Sequence, residues 1–196
     1  MRYSMLSVLL VFMFSAAPAQ QPGPTRQQQA EMMRQLKLVG PGPEHKELKG
    51  LVGNWTVSML TGDADMGFDG SANATMILGD RFLVVDAKGA PGGRDVAFRY
   101  TIGFDRRHDE YVIQNLDTTG TYPVSARGKA NEGVIRMLGT DDDPMMKAMG
   151  YGQKKFAFEL KITDENEFSI ETIYIDTRTD PEKFRPAFRY VFQRKK

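Results

Sequence analysis

Cysteine is absent from this 196-residue chain, histidine occurs twice and tryptophan once. The missing thiols exclude disulfides, cysteine nucleophiles, thiolate zinc sites and iron–sulfur clusters. A single core of ~150 residues is large enough to be stable without disulfides. Two histidines, His45 and His108, are too few for a histidine-rich zinc or di-metal centre. No G-x-S-x-G elbow supports a serine triad. An excess of one charge is also lacking, with 26 basic against 25 acidic residues. Without basic blocks there is no electrostatic footprint for nucleic acid, and the terminal Arg194, Lys195 and Lys196 read as a solvated strand end. The longest apolar run, Met5 to Phe14, falls short of the ~20 residues that span a bilayer.

That run follows the basic Arg2 and precedes Ala17 and Ala19, which frame a cleavage site before Gln20. The order basic, apolar, small is that of a secretory leader. No cysteine follows it, which excludes a lipid-anchored lipoprotein. The expected division is a leader at 1–19, a helical or flexible segment at 20–43, and a single β domain at 44–196. The expected location is periplasmic or secreted, with no transmembrane segment once the leader is removed. Without Arg2 the basic and acidic residues balance at 25 each.

Pro24 suits the first turn of a helix reaching about Leu38, with Ala30, Met33, Leu36 and Lys37 as a weak stripe and Gly40 to Pro43 as its stop. Glu44 to Leu51 suits one or two further turns, with Leu48, Leu51 and Val52 on the apolar side. From Asn54 the period becomes two. Val96, Phe98, Tyr100, Ile102 and Phe104 share one face, and Asp95, Ala97, Arg99 and Thr101 the other. Phe156, Phe158, Leu160 and Ile162 alternate with polar neighbours in the same way, as do Phe188, Tyr190 and Phe192. Turn clusters such as LGD, KGAPGG, DRRHD, ANEG and TDEN separate about ten such runs. The chain is therefore expected to be all-β, an antiparallel meander forming a sandwich or a closed barrel.

No catalytic constellation, metal set or cofactor motif emerges. His108 lies in a charged turn and reads as solvated, and His45 as structural, capping or stapling the short helix or facing the barrel mouth. Asp141, Asp142 and Asp143 lack calcium-loop spacing. Met145, Met146 and Met149 offer soft thioethers, but a short helical turn starting at Pro144 and covering an apolar opening is the simpler reading. The sequons at Asn54 and Asn73 fall in expected strands and are discounted. A ligand-lining set is expected on the aromatic faces: Phe98, Tyr100, Phe104, Tyr111, Phe158, Tyr174 and Tyr190, with Asn115 and Asp117 as polar groups to orient a small apolar molecule. The competing readings are a filled core, a carboxylate enzyme pairing Asp117 with Asp86 or Glu171, and an envelope-associated interaction protein using the helix stripe at 32–38. Neither a cofactor nor an oligomeric state is assigned.

GPGPEHKELKGLVGNWTV (40–57), LGDRFLVVD (78–86), IGFDRRHDEYVIQNLDTTGT (102–121), DDDPM (141–145) and FRYVFQRK (188–195) together resemble the secreted bacterial family known as domain of unknown function 1579. The resemblance covers 40 to 195. It implies a calycin-like barrel, similar to lipocalins, fatty-acid-binding proteins and nitrobindins. In lipocalins a Gly-x-Trp opens the first strand and a late basic residue packs on the indole. Gly53 and Trp55 match that opening, and Arg194, or Arg189, would supply the cation, so the three would close one barrel end. The late haem-binding histidine of nitrobindins has no counterpart after His108. The family brings no established activity.

Overall fold

The computed structural model describes residues 23–148, 153–176 and 183–196. The expected leader at 1–19 and Met149 lie outside these residues, as do the side chains of Met145 and Met146.

Helix α1 (Arg26–Val39) buries none of its residues. Its start is set by a reciprocal cap. The Gln28 backbone N–H donates to Thr25 Oγ1 at 3.2 Å, and the Thr25 N–H donates to Gln28 Oε1 at 2.8 Å. Two of the helix's unpaired N-terminal donors are thereby satisfied. Pro24 consequently precedes the cap instead of occupying the first turn.

Residues 36–196 form a separate unit. Helix α2 (Pro43–Lys49) leads into strands β1 (Gly53–Thr61), β2 (Ala64–Asp65), β3 (Gly70–Ile77), β4 (Phe82–Gly89), β5 (Val96–Asp105) and β6 (Glu110–Asp117). Then come β7 (Val124–Asn131), β8 (Val134–Asp141), the short helix α3 (Pro144–Ala148), β9 (Lys154–Asp164), β10 (Glu167–Asp176) and β11 (Lys183–Arg194). Each strand from β3 to β11 pairs antiparallel with the next, β1 pairs with β3, and β11 returns to β1. Ten strands therefore close into a barrel, and β2 is an extra strand folded back on the end of β1. Closure leaves no long unpaired edge in the ring.

Side chains alternate across the wall, as the sequence period predicts. One continuous core takes residues from α2 and all ten ring strands, including Leu48, Trp55, Val85, Tyr100, Ile113, Phe158, Ile170 and Phe192. Each large apolar side chain so buried contributes about 1.5–3 kcal/mol. Outward positions carry charge. Lys129, Arg136, Glu159, Glu171 and Arg189 are successive neighbours across β7 to β11, and Arg136 lies 2.5 Å from Glu159. A lipid-facing barrel has the reverse alternation, apolar outside and polar inside. No helix among the described residues is long and apolar enough to cross a membrane.

Local differences from the sequence pattern have physical causes. Val52, expected on the apolar side of the entry helix, is 39% exposed, because the chain has already turned into β1, while Leu48 and Leu51 are buried. Strand β11 starts at Lys183, ahead of the alternating run Phe188 to Phe192 that marks it in the sequence. Pro186 lacks an N–H for the ladder, and the β10–β11 register shifts between Thr172 and Ile173 to accommodate it.

Candidate functional site

The two barrel ends differ in chemistry. At the end where β1 begins, Trp55 is fully buried, donates from Nε1 to the Leu51 carbonyl at 3.0 Å, and meets Phe168 edge-on at 4.8 Å. Phe168 in turn stacks on Phe192 at 4.3 Å. Arg194 lies over the outer side of the indole, 4.3 Å from its centre. Gly53 (φ +150°) is required there, because a Cβ would stand 2.5 Å from Arg194 Nη1. Arg189, the other candidate cation, is on β11 opposite Leu60 of β1, several residues from the indole.

Helix α2 covers this end, and His45 sets its start. The Gly42 N–H donates to His45 Nδ1 at 3.0 Å, so the ring serves as an acceptor and caps the helix. The ring is buried and packs edge-on to Phe104 at 6.3 Å. Burial holds its pKa below the ordinary value, with Arg106 and Arg81 acting in the same direction and Glu44 opposing them. Arg106 donates to the Lys37 and Gly40 carbonyls at 2.7 and 3.0 Å, tying the entry segment to the turn after β5. Phe104 and Tyr111 also belong to this end. Their rings meet at 4.9 Å, and the Tyr111 hydroxyl donates to Glu47 Oε2 at 3.0 Å. They are thereby separated from the other aromatic residues of the expected lining set.

At the opposite end six residues of that set converge, with Phe98, Tyr100, Phe158 and Tyr190 all buried. Tyr100 meets Phe98 at 5.3 Å and Phe158 at 5.9 Å, and Phe98 meets Tyr190 at 4.3 Å. Asn115 and Asp117 stand directly opposite Tyr100 and Phe98 on β6, so they face inward. Asp117 Oδ2 accepts from Asn115 Nδ2 at 3.0 Å. Its Oδ1 accepts from the backbone N–H groups of Thr119 and Gly120 and from the Thr119 hydroxyl, which fixes the β6–β7 turn. Burial and the Asp117 charge raise the pKa of Tyr190 to about 12 and that of Tyr100 well above its usual value, where Tyr190 also contributes. Both phenols are therefore neutral at any physiological pH. Met59, Val96, Val124 and Phe188 form a partly buried apolar rim. Tyr174 is 37% exposed, with the Lys154 ammonium 4.2 Å from its ring centre.

Two polar atoms inside this end have no partner among the described residues. Asn115 Oδ1 and Thr172 Oγ1 are both buried and unbonded. Thr172 lies opposite Phe158 of β9, so it shares the inward face with Phe158.

The carboxylates considered for catalysis occupy different faces of the wall, although Asp86 and Asp117 both border one concavity. Asp117 faces inward, but Asp86 is on the outer wall in a two-point pair with Arg99 at 2.6 and 2.9 Å. Glu171 also faces outward, between the inward Ile170 and Thr172, and opposite Glu159. His108 is exposed and bonds Asp105 through Nδ1 at 2.9 Å. Asp142 is engaged by Lys147 at 3.1 Å and by Gln153 at 3.2 Å. An open concavity of about 970 Å³ borders the outer wall, and Phe98 and Asp117 are among its lining residues. Its floor is the cross-strand row Asn54, Asn73, Asp86, Arg99 and Leu116.

Phe68 is the inward residue that pattern reading misses. It sits in the turn-rich stretch GDADMGFDG, outside any strand, yet it is fully buried against Tyr190 at 5.5 Å and Phe98 at 6.0 Å. The available signal was an aromatic residue isolated among glycines and aspartates.

A family model described as "Protein of unknown function (DUF1579)" matches residues 40–194. No curated protein matches the chain. Among solved structures it is similar to a redesigned β-barrel, at 13% identity and a TM-score of 0.39, covering 76% of this chain and 95% of that one. It is also similar to a de novo designed fluorescence-activating β-barrel, at 12% identity and a TM-score of 0.42, covering 76% and 96%.

Proposed function

The chain belongs to the DUF1579 family of proteins of unknown function, whose model spans residues 40–194, and we propose that it is an exported barrel that holds a small, mostly apolar molecule at the end opposite α2. The observation that carries this reading is the pair of buried, unbonded atoms Asn115 Oδ1 and Thr172 Oγ1 within an aromatic surround. An unpaired buried polar atom costs about 1–3 kcal/mol. A ligand N–H or O–H reaching Asn115 Oδ1 recovers that cost, so the preferred ligand carries one hydrogen-bond donor on an apolar body. Phe98, Tyr100, Phe158 and Tyr190 supply the apolar walls, and Asp117 fixes the Asn115 amide by holding its Nδ2. Export is supported by the leader-like order of residues at 1–19.

The test is native mass spectrometry of the protein purified from its own host. Wild type should carry a small-molecule adduct, and Asn115→Leu, which keeps volume but removes the acceptor, should lose it. Repeated wild-type preparations without any adduct would count decisively against a carrier role.

A further inference from the structure

The loop between β2 and β3 places a side chain where the proposed ligand would sit. Every residue from Thr61 to Asp69 is exposed except Phe68, which is fully buried. Its seat lacks side chains on two sides. A Cβ on Gly70 would stand 2.3 Å from Phe68 Cε1, and a Cβ on Gly89 would stand 2.7 Å from both Cε1 and Cζ. The ring therefore rests on bare backbone of β3 and β4, and Phe98 and Tyr190 supply the remaining contacts. The Phe68 ring fills this glycine-lined slot.

Other glycines in the barrel also face aromatic rings, but those rings belong to strands. Phe82 lies opposite Gly103 and Phe156 opposite Gly139 as register partners. Phe68 is held differently. Its loop is joined to β1 by the Met66 N–H to the Met59 carbonyl at 2.8 Å, and turns at Gly67 (φ +66°), whose N–H donates to Asp65 Oδ1 at 2.8 Å. Phe68 thus lies outside the strand ladder that closes the wall.

We propose that Phe68 is a built-in stand-in for an aryl ligand, and that the 61–69 loop is a lid whose ring yields the glycine slot when an aromatic molecule enters. This rests on the binding reading above and narrows its ligand to a planar aryl group with a donor such as a hydroxyl. A straight alkyl chain matches the slot poorly, because only a flat ring contacts both glycines and the two aromatic walls. The competing ring lowers apparent affinity by the fraction of time the slot is free.

The absence of cysteine makes a single-cysteine reporter clean. In the full-length protein, Met66→Cys carries a nitroxide label, and 2-naphthalenemethanol and 1-octanol are titrated by calorimetry. The naphthalene alcohol is expected to bind, to increase label mobility at saturation, and to bind about tenfold tighter to Phe68→Ala. Adding Gly89→Ala to that background should abolish the gain, because the new methyl group occupies the slot. If Phe68→Ala does not fold, Phe68→Leu serves, since it keeps an apolar side chain but not a flat one. Octanol binding without label movement and without any effect of Phe68 substitution overturns the aryl lid and leaves the binding reading standing. If neither alcohol binds wild type or the Phe68 variant, both readings fall.

Discussion

Arg194 sits over Trp55, 4.3 Å from the ring centre, while donating to three backbone carbonyls, from Nη1 to Val52 at 2.8 Å, from Nη2 to Gly50 at 2.9 Å and from Nε to Glu165 at 2.7 Å. The last strand is thereby tied to the turn entering the first and to the β9–β10 turn. The planar fork makes this possible, and a lysine ammonium cannot reproduce it. Arg194→Lys should therefore lower unfolding stability by about 1.5–3 kcal/mol in urea, despite the conserved charge. Trp55→Ala should cost about 3–5 kcal/mol. An unchanged midpoint for Arg194→Lys would show the contacts to be incidental.

His45 predicts an acid-side loss of stability. Its Nδ1 must be unprotonated to accept the Gly42 N–H, and burial keeps the folded-state pKa below 6.5. As pH falls below 6.5, the unfolded chain takes up the proton first. The stabilisation is thus complete above that value and is lost progressively as pH drops through the folded pKa. His45→Gln retains an acceptor at the third helical position without the titration. Denaturation midpoints between pH 7.5 and 5 should fall less steeply for that variant, and equal slopes would remove His45 from the explanation.

Thr172 allows a substitution that improves the ligand-free fold. Its hydroxyl oxygen is buried without a partner, so Thr172→Val removes an unpaid desolvation cost while keeping the branched shape. Stability in ligand-free protein should rise by on the order of 1 kcal/mol. A fall would mean that the hydroxyl is already satisfied by ordered water.

The barrel was legible because alternation survives wherever one face of a strand is buried, as in Phe98–Tyr100–Ile102 and Phe156–Phe158–Leu160. The run Leu83–Val84–Val85 carries no alternation, so the outward direction of Asp86 could not be read locally. Thr172–Ile173 is disturbed by the register shift opposite Pro186, which hides the parity of Glu171. Phe68 was illegible for another reason. Its burial depends on two glycines, Gly70 and the distant Gly89 on the next strand, and no local period encodes such a contact. The unlike chemistry of the two ends was equally hidden, because Phe98 and Phe104 share one strand face and differ only in which end of β5 they occupy.

Gly128 tests how tightly the wall is closed. On β7 it pairs with Met137 of β8, and a Cβ there would stand 1.8 Å from the Arg136 carbonyl oxygen and 2.8 Å from Met137 Cα. Both obstacles are backbone, so no rotamer change relieves them, and the two strands would have to separate. Separation breaks ladder bonds on either side. Gly128→Ala should therefore lose about 3 kcal/mol or more. Gly120→Ala is the control, since its nearest neighbour is the Tyr122 ring at 3.6 Å, an ordinary contact. It should shift stability by no more than about 0.5 kcal/mol. Thermal and urea unfolding of both variants decide the matter, and a Gly128→Ala protein as stable as the control would mean that β7 and β8 are spaced more loosely than their register implies.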